Sequence, residues 1–141
     1  MNSSLVEFSS NVTGKARVAL ESIVRQWDAA AQKWDPNKLA SLYTPDALFF
    51  GGQPGLYVGT AQIRAYFAIY ASVMKSVRFN LFDQHVLEPT KDTYIAQGFG
   101  KFRAVLVSGV ETESIQRTTL LVIKLGTQWK LAQHHFSAMP T

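Results

Sequence analysis

His134 and His135 stand side by side near the end of an apolar stretch from Arg117 to Pro140. They belong to the one residue type whose ordinary proton equilibrium lies near neutral pH. That stretch reads as two strands, Gln116–Leu125 and Trp129–Ala138, joined at Gly126-Thr127-Gln128. Adjacent strand residues point to opposite faces, so the two imidazoles cannot share a metal ion and only one can face a pocket. Both also read as half-buried histidines bonded to neighbours. Tyr66 and Tyr70 offer hydroxyls that could orient a carbonyl. The carboxylates are less promising. Asp46 sits at a helix–strand junction, where it reads as a turn or cap. Glu111 and Glu113 share a strand face beside Ser108-Gly109 and read as a solvated edge. No carboxylate pair is placed for acid–base work, and no Ser-His-Asp order or phosphate loop occurs. Zero cysteines exclude thiolate catalysis, disulfides and Cys-ligated zinc. No cofactor or metal site is expected.

Positioning these groups falls to elements that the apolar periods predict. From Ala16, Leu20, Ile23, Val24, Trp27, Ala31 and Trp34 form one helical stripe, with Asp28 among the residues on the other sides. A helix to Trp34 would be about 28 Å long. Asp35-Pro36 restarts a short helix as N-cap and first residue, carrying Leu39, Leu42 and Tyr43 inward. Ala47–Phe50 reads as a brief strand and Gly51–Gly55 as a loop. A third helix opens at Gly59-Thr60, with Thr60 as N-cap and Ile63, Tyr66, Phe67, Tyr70 and Met74 on one side. Everything after Ser76 reads as an antiparallel meander: Val77–Leu87, Thr93–Val107, Thr112–Leu125 and Trp129–Ala138. Within Thr93–Val107, Gln97, Phe99, Lys101 and Arg103 share one face and Gly98, Gly100, Phe102 and Ala104 the other. Two glycines on one face let the sheet bend or a neighbour approach. Trp27, Tyr43, Phe50, Tyr57, Tyr66 and Tyr70 fall mostly on inward faces. Such aromatics build a core, and they also line small-molecule sites.

With 141 residues the chain fits one domain, which should bury roughly 70% of its unfolded surface. Residues 1–15 read as a loose arm and 16–141 as the domain. No apolar run nears the roughly 20 residues of a membrane span. The first residues lack the pattern of a signal peptide, so a cytoplasmic location is the default and the Asn11-Val12-Thr13 sequon carries no weight. The net charge of +4 is scattered singly along the chain, with no basic stripe, which argues against a nucleic-acid partner.

Three motifs carry a resemblance from about Ala16 to Pro140. The first is Asp35, Leu39, Leu42-Tyr43 and Asp46-Ala47. The second is Gly59, Ile63-Arg64 and Tyr66-Phe67. The third runs from Arg117 and Thr119 through Gly126, Trp129, Leu131 and His134-His135 to Ser137 and Met139-Pro140. In that order and spacing they resemble the nuclear transport factor 2-like superfamily, which includes SnoaL-like proteins. The nearest branch is similar to the association domain of calcium/calmodulin-dependent kinase II. Trp34 departs from the pattern, where a small residue is usual, and is read as local packing.

The resemblance implies an α+β cone: three N-terminal helices on the concave face of a strongly curved, mostly antiparallel sheet, enclosing a pocket. It implies a homodimer through the convex face. It turns His134 and Phe136 inward and His135 and Ser137 toward that interface. It also turns Gln97, Phe99 and Arg103 toward the cone, where Arg103 would pair with a carboxylate or lie solvated at the mouth. Arg117 is set outward if Leu120 faces in. The ketosteroid-isomerase branch, similar in layout, would place its base at Gly51 and a hydroxyl donor at Trp27; neither residue can serve. The expected function is binding of a small apolar or anionic molecule, with Arg103, Gln97, Phe99, Trp27, Tyr43, Tyr57 and Phe136 as ligand contacts. If catalysis occurs, it is cofactor-independent proton transfer of isomerase, cyclase or dehydratase type, with His134 as base and Tyr66 or Tyr70 as donor. The alternative is a non-catalytic association module.

Overall fold

The computed structural model describes residues 5–141. The helices are α1 (Gly14–Ala31), α2 (Pro36–Ala40) and α3 (Gly59–Ile69). The strands are β1 (Val6–Phe8), β2 (Tyr43–Phe50), β3 (Tyr57–Val58), β4 (Met74–Thr90), β5 (Thr93–Leu106), β6 (Glu111–Leu125) and β7 (Gln128–Ala138). They form one sheet in the order β1-β4-β5-β6-β7-β2-β3. The expected meander from β4 to β7 is antiparallel, while β1 on β4 and β2 on β7 run parallel. This is the α+β architecture read from the sequence, with two short strands, β1 and β3, added. Among the described residues no helix is long and apolar enough to cross a membrane.

The three helices cover one face of the sheet. Thr13 caps α1, its Oγ1 accepting the Ala16 N–H at 3.2 Å, and Leu20, Ile23, Val24, Trp27 and Ala31 are buried along the predicted stripe. The helix stops before Trp34, whose backbone is left-handed at φ 42. That turn aims the indole at α3, where it donates to the Phe67 carbonyl at 2.9 Å. Asp35 caps α2 as its sequence implies, accepting the Lys38 N–H at 3.1 Å. The N-cap of α3 is Val58, not Thr60. Gln62 satisfies the Val58 N–H at 2.8 Å, and Thr60 turns its hydroxyl to the Thr44 carbonyl.

The expectation of a loose arm needs correction over part of its length; Met1–Ser4 lie outside the described residues. Val6 is buried, and the Leu81 N–H donates to the Leu5 carbonyl at 2.8 Å. An edge strand as long as β4 presents a row of free backbone groups, and β1 covers part of it. The Arg17 guanidinium closes over the Phe8 ring at 4.7 Å and ties this edge to α1.

Two bulges decide which residues face the helices. In β4 the register against β5 shifts between Phe82 and His85, with Asp83 at φ 51. This swings Gln84 inward, fully buried, where its Nε2 donates to the Phe99 carbonyl at 3.1 Å. A Cβ at Gly98 would collide with the Asp83 carbonyl, so the bulge requires glycine opposite it. In β7 the shift between Leu121 and Val122 of β6 leaves Ala132 as the extra residue. Leu131 before it and His134 and Phe136 after it therefore all face inward, and all are buried.

Candidate functional site

A cavity of about 150 Å³ opens at the end of the sheet where α1 finishes. Trp27 and Trp34 wall one side, Tyr66, Phe67 and Tyr70 of α3 another. Met74 and Val77 of β4, Phe102 and Ala104 of β5 and Phe136 of β7 form the floor. Thr112, Ser114 and Gln116 of β6 and Gly52 complete the lining. The walls are apolar rings meeting edge to face: Trp27–Phe67 centroids lie 6.1 Å apart and Trp34–Tyr70 6.1 Å. None of these residues is charged at neutral pH.

Polar atoms come from the two tyrosines and from Thr112, Ser114 and Gln116 of β6. The Gly52 N–H donates to the Tyr66 hydroxyl at 2.8 Å, and Gln53 Nε2 to the Tyr70 hydroxyl at 3.1 Å. The two rings are neighbours, centroids 5.3 Å apart. Burial holds the Tyr66 hydroxyl well above the usual phenol range, partly opposed by Gly52 and reinforced by Tyr70, so it keeps its proton and can donate a hydrogen bond across the physiological range. The Gly51-Gly52 loop packs directly on this pair. A Cβ at Gly51 would fall 2.5 Å from the Tyr66 hydroxyl oxygen, and one at Gly52 3.0 Å from that of Tyr70.

His134 faces inward but is not part of the cavity wall. Its Nδ1 lies 2.7 Å from the Tyr43 hydroxyl, which accepts the Trp27 indole N–H at 3.1 Å. Phe136 stands beside it, ring centroids 5.0 Å apart. Burial, with a smaller contribution from His135, lowers its pKa to about 3, so the ring is neutral. Its Nε2 is buried and has no partner. Trp27, Tyr43 and His134 thus form an internal column behind the pocket, and burial likewise raises the Tyr43 hydroxyl.

Of the residues expected to contact a ligand, Trp27 and Phe136 line the cavity, as do Tyr66 and Tyr70. Tyr43 lies in the column, and Tyr57 packs behind Tyr66 at 5.2 Å. The expectation that Gln97, Phe99 and Arg103 face the cone is wrong. Their strand mates Tyr94, Ala96, Gly100 and Ala104 are buried, and Arg103 is exposed. The concave side of a bent strand needs its small residues, and here Gly98 and Gly100 take it, with Thr118 and Phe79 3.1 Å from where a Gly100 Cβ would be. Gln97 and Phe99 instead border a convex groove with Asp83, His85, Arg117 and His135.

Trp34, Phe102 and Ala104 were not anticipated as lining. The last two follow once the glycine face is taken as the inner one. Asp28, expected on an outer side of α1, is buried at 4% exposure. It accepts the Phe79 N–H at 2.7 Å and a two-toothed contact from Arg78 at 3.2 and 3.1 Å, fastening α1 to β4. Asp46, expected in a turn or cap, lies within β2 and accepts from Thr44 at 3.0 Å, and Glu111 and Glu113 are exposed. Among the described residues no group of three or more metal-ligating side chains comes together.

The SnoaL-like domain family matches residues 20–141, and the chain belongs to it. Solved structures extend the likeness. A structure from Xanthomonas campestris, provisionally assigned as a calcium/calmodulin dependent protein kinase II association domain, is 26% identical, with 91% of this chain and 90% of that one covered and a TM-score of 0.81. A structure from Novosphingobium aromaticivorans, provisionally assigned as an aromatic ring hydroxylase, is 21% identical, covering 92% and 94%, with a TM-score of 0.78. A nuclear transport factor 2-like superfamily protein from Salmonella enterica is 18% identical, covering 91% and 95%, with a TM-score of 0.72. Comparison with curated proteins gives no match.

Proposed function

We propose that this chain binds a compact, uncharged, largely apolar small molecule in the cavity at the end of the cone. The observation that carries this reading is a cavity of about 150 Å³ with aromatic walls and no charged side chain on them. An apolar cavity of roughly that volume accepts a benzene-sized guest. The expected anionic ligand no longer has an anchor, since Arg103 stands on the outer face. Proton transfer is disfavoured by the same geometry. His134 is neutral, fully buried and behind the wall, and Gly51 leaves no room for a carboxylate. Binding without chemistry is therefore the better-supported function.

A thermal-shift panel of neutral arenes, cyclic ketones and small carboxylates tests this. A ligand present at 100 times its dissociation constant stabilises by about 2.7 kcal/mol. Neutral rings should raise the melting temperature and carboxylates should not. Stabilisation by carboxylates alone would contradict the reading.

A second reading, assembly, is favoured by the outer face. Leu48, Phe50 and Ile115 are exposed at 46%, 45% and 42%, and Phe82 stacks on Phe99 there at 5.6 Å. We propose a homodimer through this convex face, in keeping with the likeness to an association domain. Light scattering should give twice the chain mass and a monomer for Phe50→Glu. A monomeric wild type would dismiss it.

A further inference from the structure

The cavity wall carries polar groups that a purely apolar guest would leave unused, and the Tyr66–Tyr70 pair is among them. Tyr66 and Tyr70 each accept a hydrogen bond from the Gly52-Gln53 loop, at 2.8 and 3.1 Å. A hydroxyl also carries a proton to donate. Between two neighbouring hydroxyls only one proton can be shared, so the pair always retains one directed elsewhere. Beyond each other, neither hydroxyl has a protein acceptor among the described residues. Both tyrosines line the cavity. Glycine at 51 and 52 is what lets the loop lie so close, since side chains there would meet the hydroxyl oxygens at 2.5 and 3.0 Å.

We propose that the Tyr66–Tyr70 pair is a hydrogen-bond donor site for a neutral oxygen acceptor, and that the natural ligand is a monocyclic compound bearing a ketone or aldehyde oxygen. This rests on the cavity reading above. The loop already supplies a donor to each hydroxyl, so the group still unsatisfied in the pair is its free proton. The uncharged aromatic walls reject a carboxylate, whose burial without a cation is costly. They accept a planar ring on their faces.

Acetophenone and α-methylstyrene match in shape and differ in the carbonyl oxygen. Their dissociation constants are measured by NMR titration against wild type, Tyr66→Phe, Tyr70→Phe and the double variant, with melting temperature as a check on folding. The double variant should bind acetophenone roughly fivefold to tenfold more weakly, the value of one neutral hydrogen bond, while α-methylstyrene changes less than about twofold. Conservative single variants keep the test available if the double variant folds poorly, and at least one should reproduce the selective loss. Equal effects on the two ligands, or none on either, overturn the donor site and leave the cavity reading standing. Binding of the hydrocarbon without the ketone does the same. Failure of both ligands to bind wild type overturns both.

Discussion

The side-chain position of Gly51 is occupied by Tyr66: a Cβ built there falls 2.5 Å from the tyrosine oxygen and 2.9 Å from the Phe49 ring. A residue that reads in the sequence as the mere lack of a carboxylate is therefore the condition for the tyrosine to sit where it does. Gly51→Ala should push Tyr66 off its Gly52 hydrogen bond and destabilise by about 1–3 kcal/mol, the usual cost of overpacking. Urea unfolding checks the loss. An unchanged midpoint would mean that the loop moves freely away from α3.

His134 sets a pH dependence of stability. Burial lowers its pKa in the folded chain from 6.5 to about 3. The unfolded chain therefore takes up the proton first as pH falls. Stability linked to the neutral ring is complete above pH 6.5 and is lost progressively toward pH 3. Between pH 7 and pH 4 the loss should be on the order of 3 kcal/mol. His134→Phe should flatten the stability–pH curve by about that amount in this window. Parallel curves for the variant and wild type would contradict the assignment.

These two residues illustrate what was legible in the sequence and what was not. The helical stripe through Trp27, the Asp35-Pro36 start and the four long strands carry strong local periods, so the architecture could be read directly. Which face of a strand points inward depends on parity, and a single bulge reverses it. The Ala132 bulge makes counting from Leu131 misleading, and His134 is placed correctly only through the resemblance to relatives. At β5 the Asp83-Gln84 bulge and its need for Gly98 settle the inner face, and there the resemblance led to the wrong one. Trp34 escaped because its placement depends on a left-handed turn after α1. Asp28 escaped because its partners, Arg78 and the Phe79 N–H, lie about fifty residues away.

Asp28 and Arg78 should differ in their contributions although they form one ion pair. Arg78 is 54% exposed, so its charge is solvated and Arg78→Ala should cost less than about 1 kcal/mol. Asp28→Ala leaves the buried Phe79 N–H without an acceptor and should cost about 1–3 kcal/mol. Chemical denaturation of both variants decides this. Equal losses would assign the stabilisation to the ion pair instead.

Arg103→Leu should leave cavity binding unchanged, because the guanidinium is on the opposite face of β5 from Phe102 and Ala104. Titration of the variant with acetophenone gives the comparison. A loss greater than about threefold, roughly 0.7 kcal/mol, would bring Arg103 back into the site.

The most direct measurement follows the three indole N–H signals of the chain in a two-dimensional NMR titration with toluene. Trp27 and Trp34 line the cavity, and Trp129 packs on Tyr94 at 5.7 Å outside it. A ligand held by the aromatic walls moves the signals of Trp27 and Trp34 along one saturating curve and leaves Trp129 in place. Movement of Trp129 alone, or no movement at saturating toluene, contradicts the cavity as the binding site.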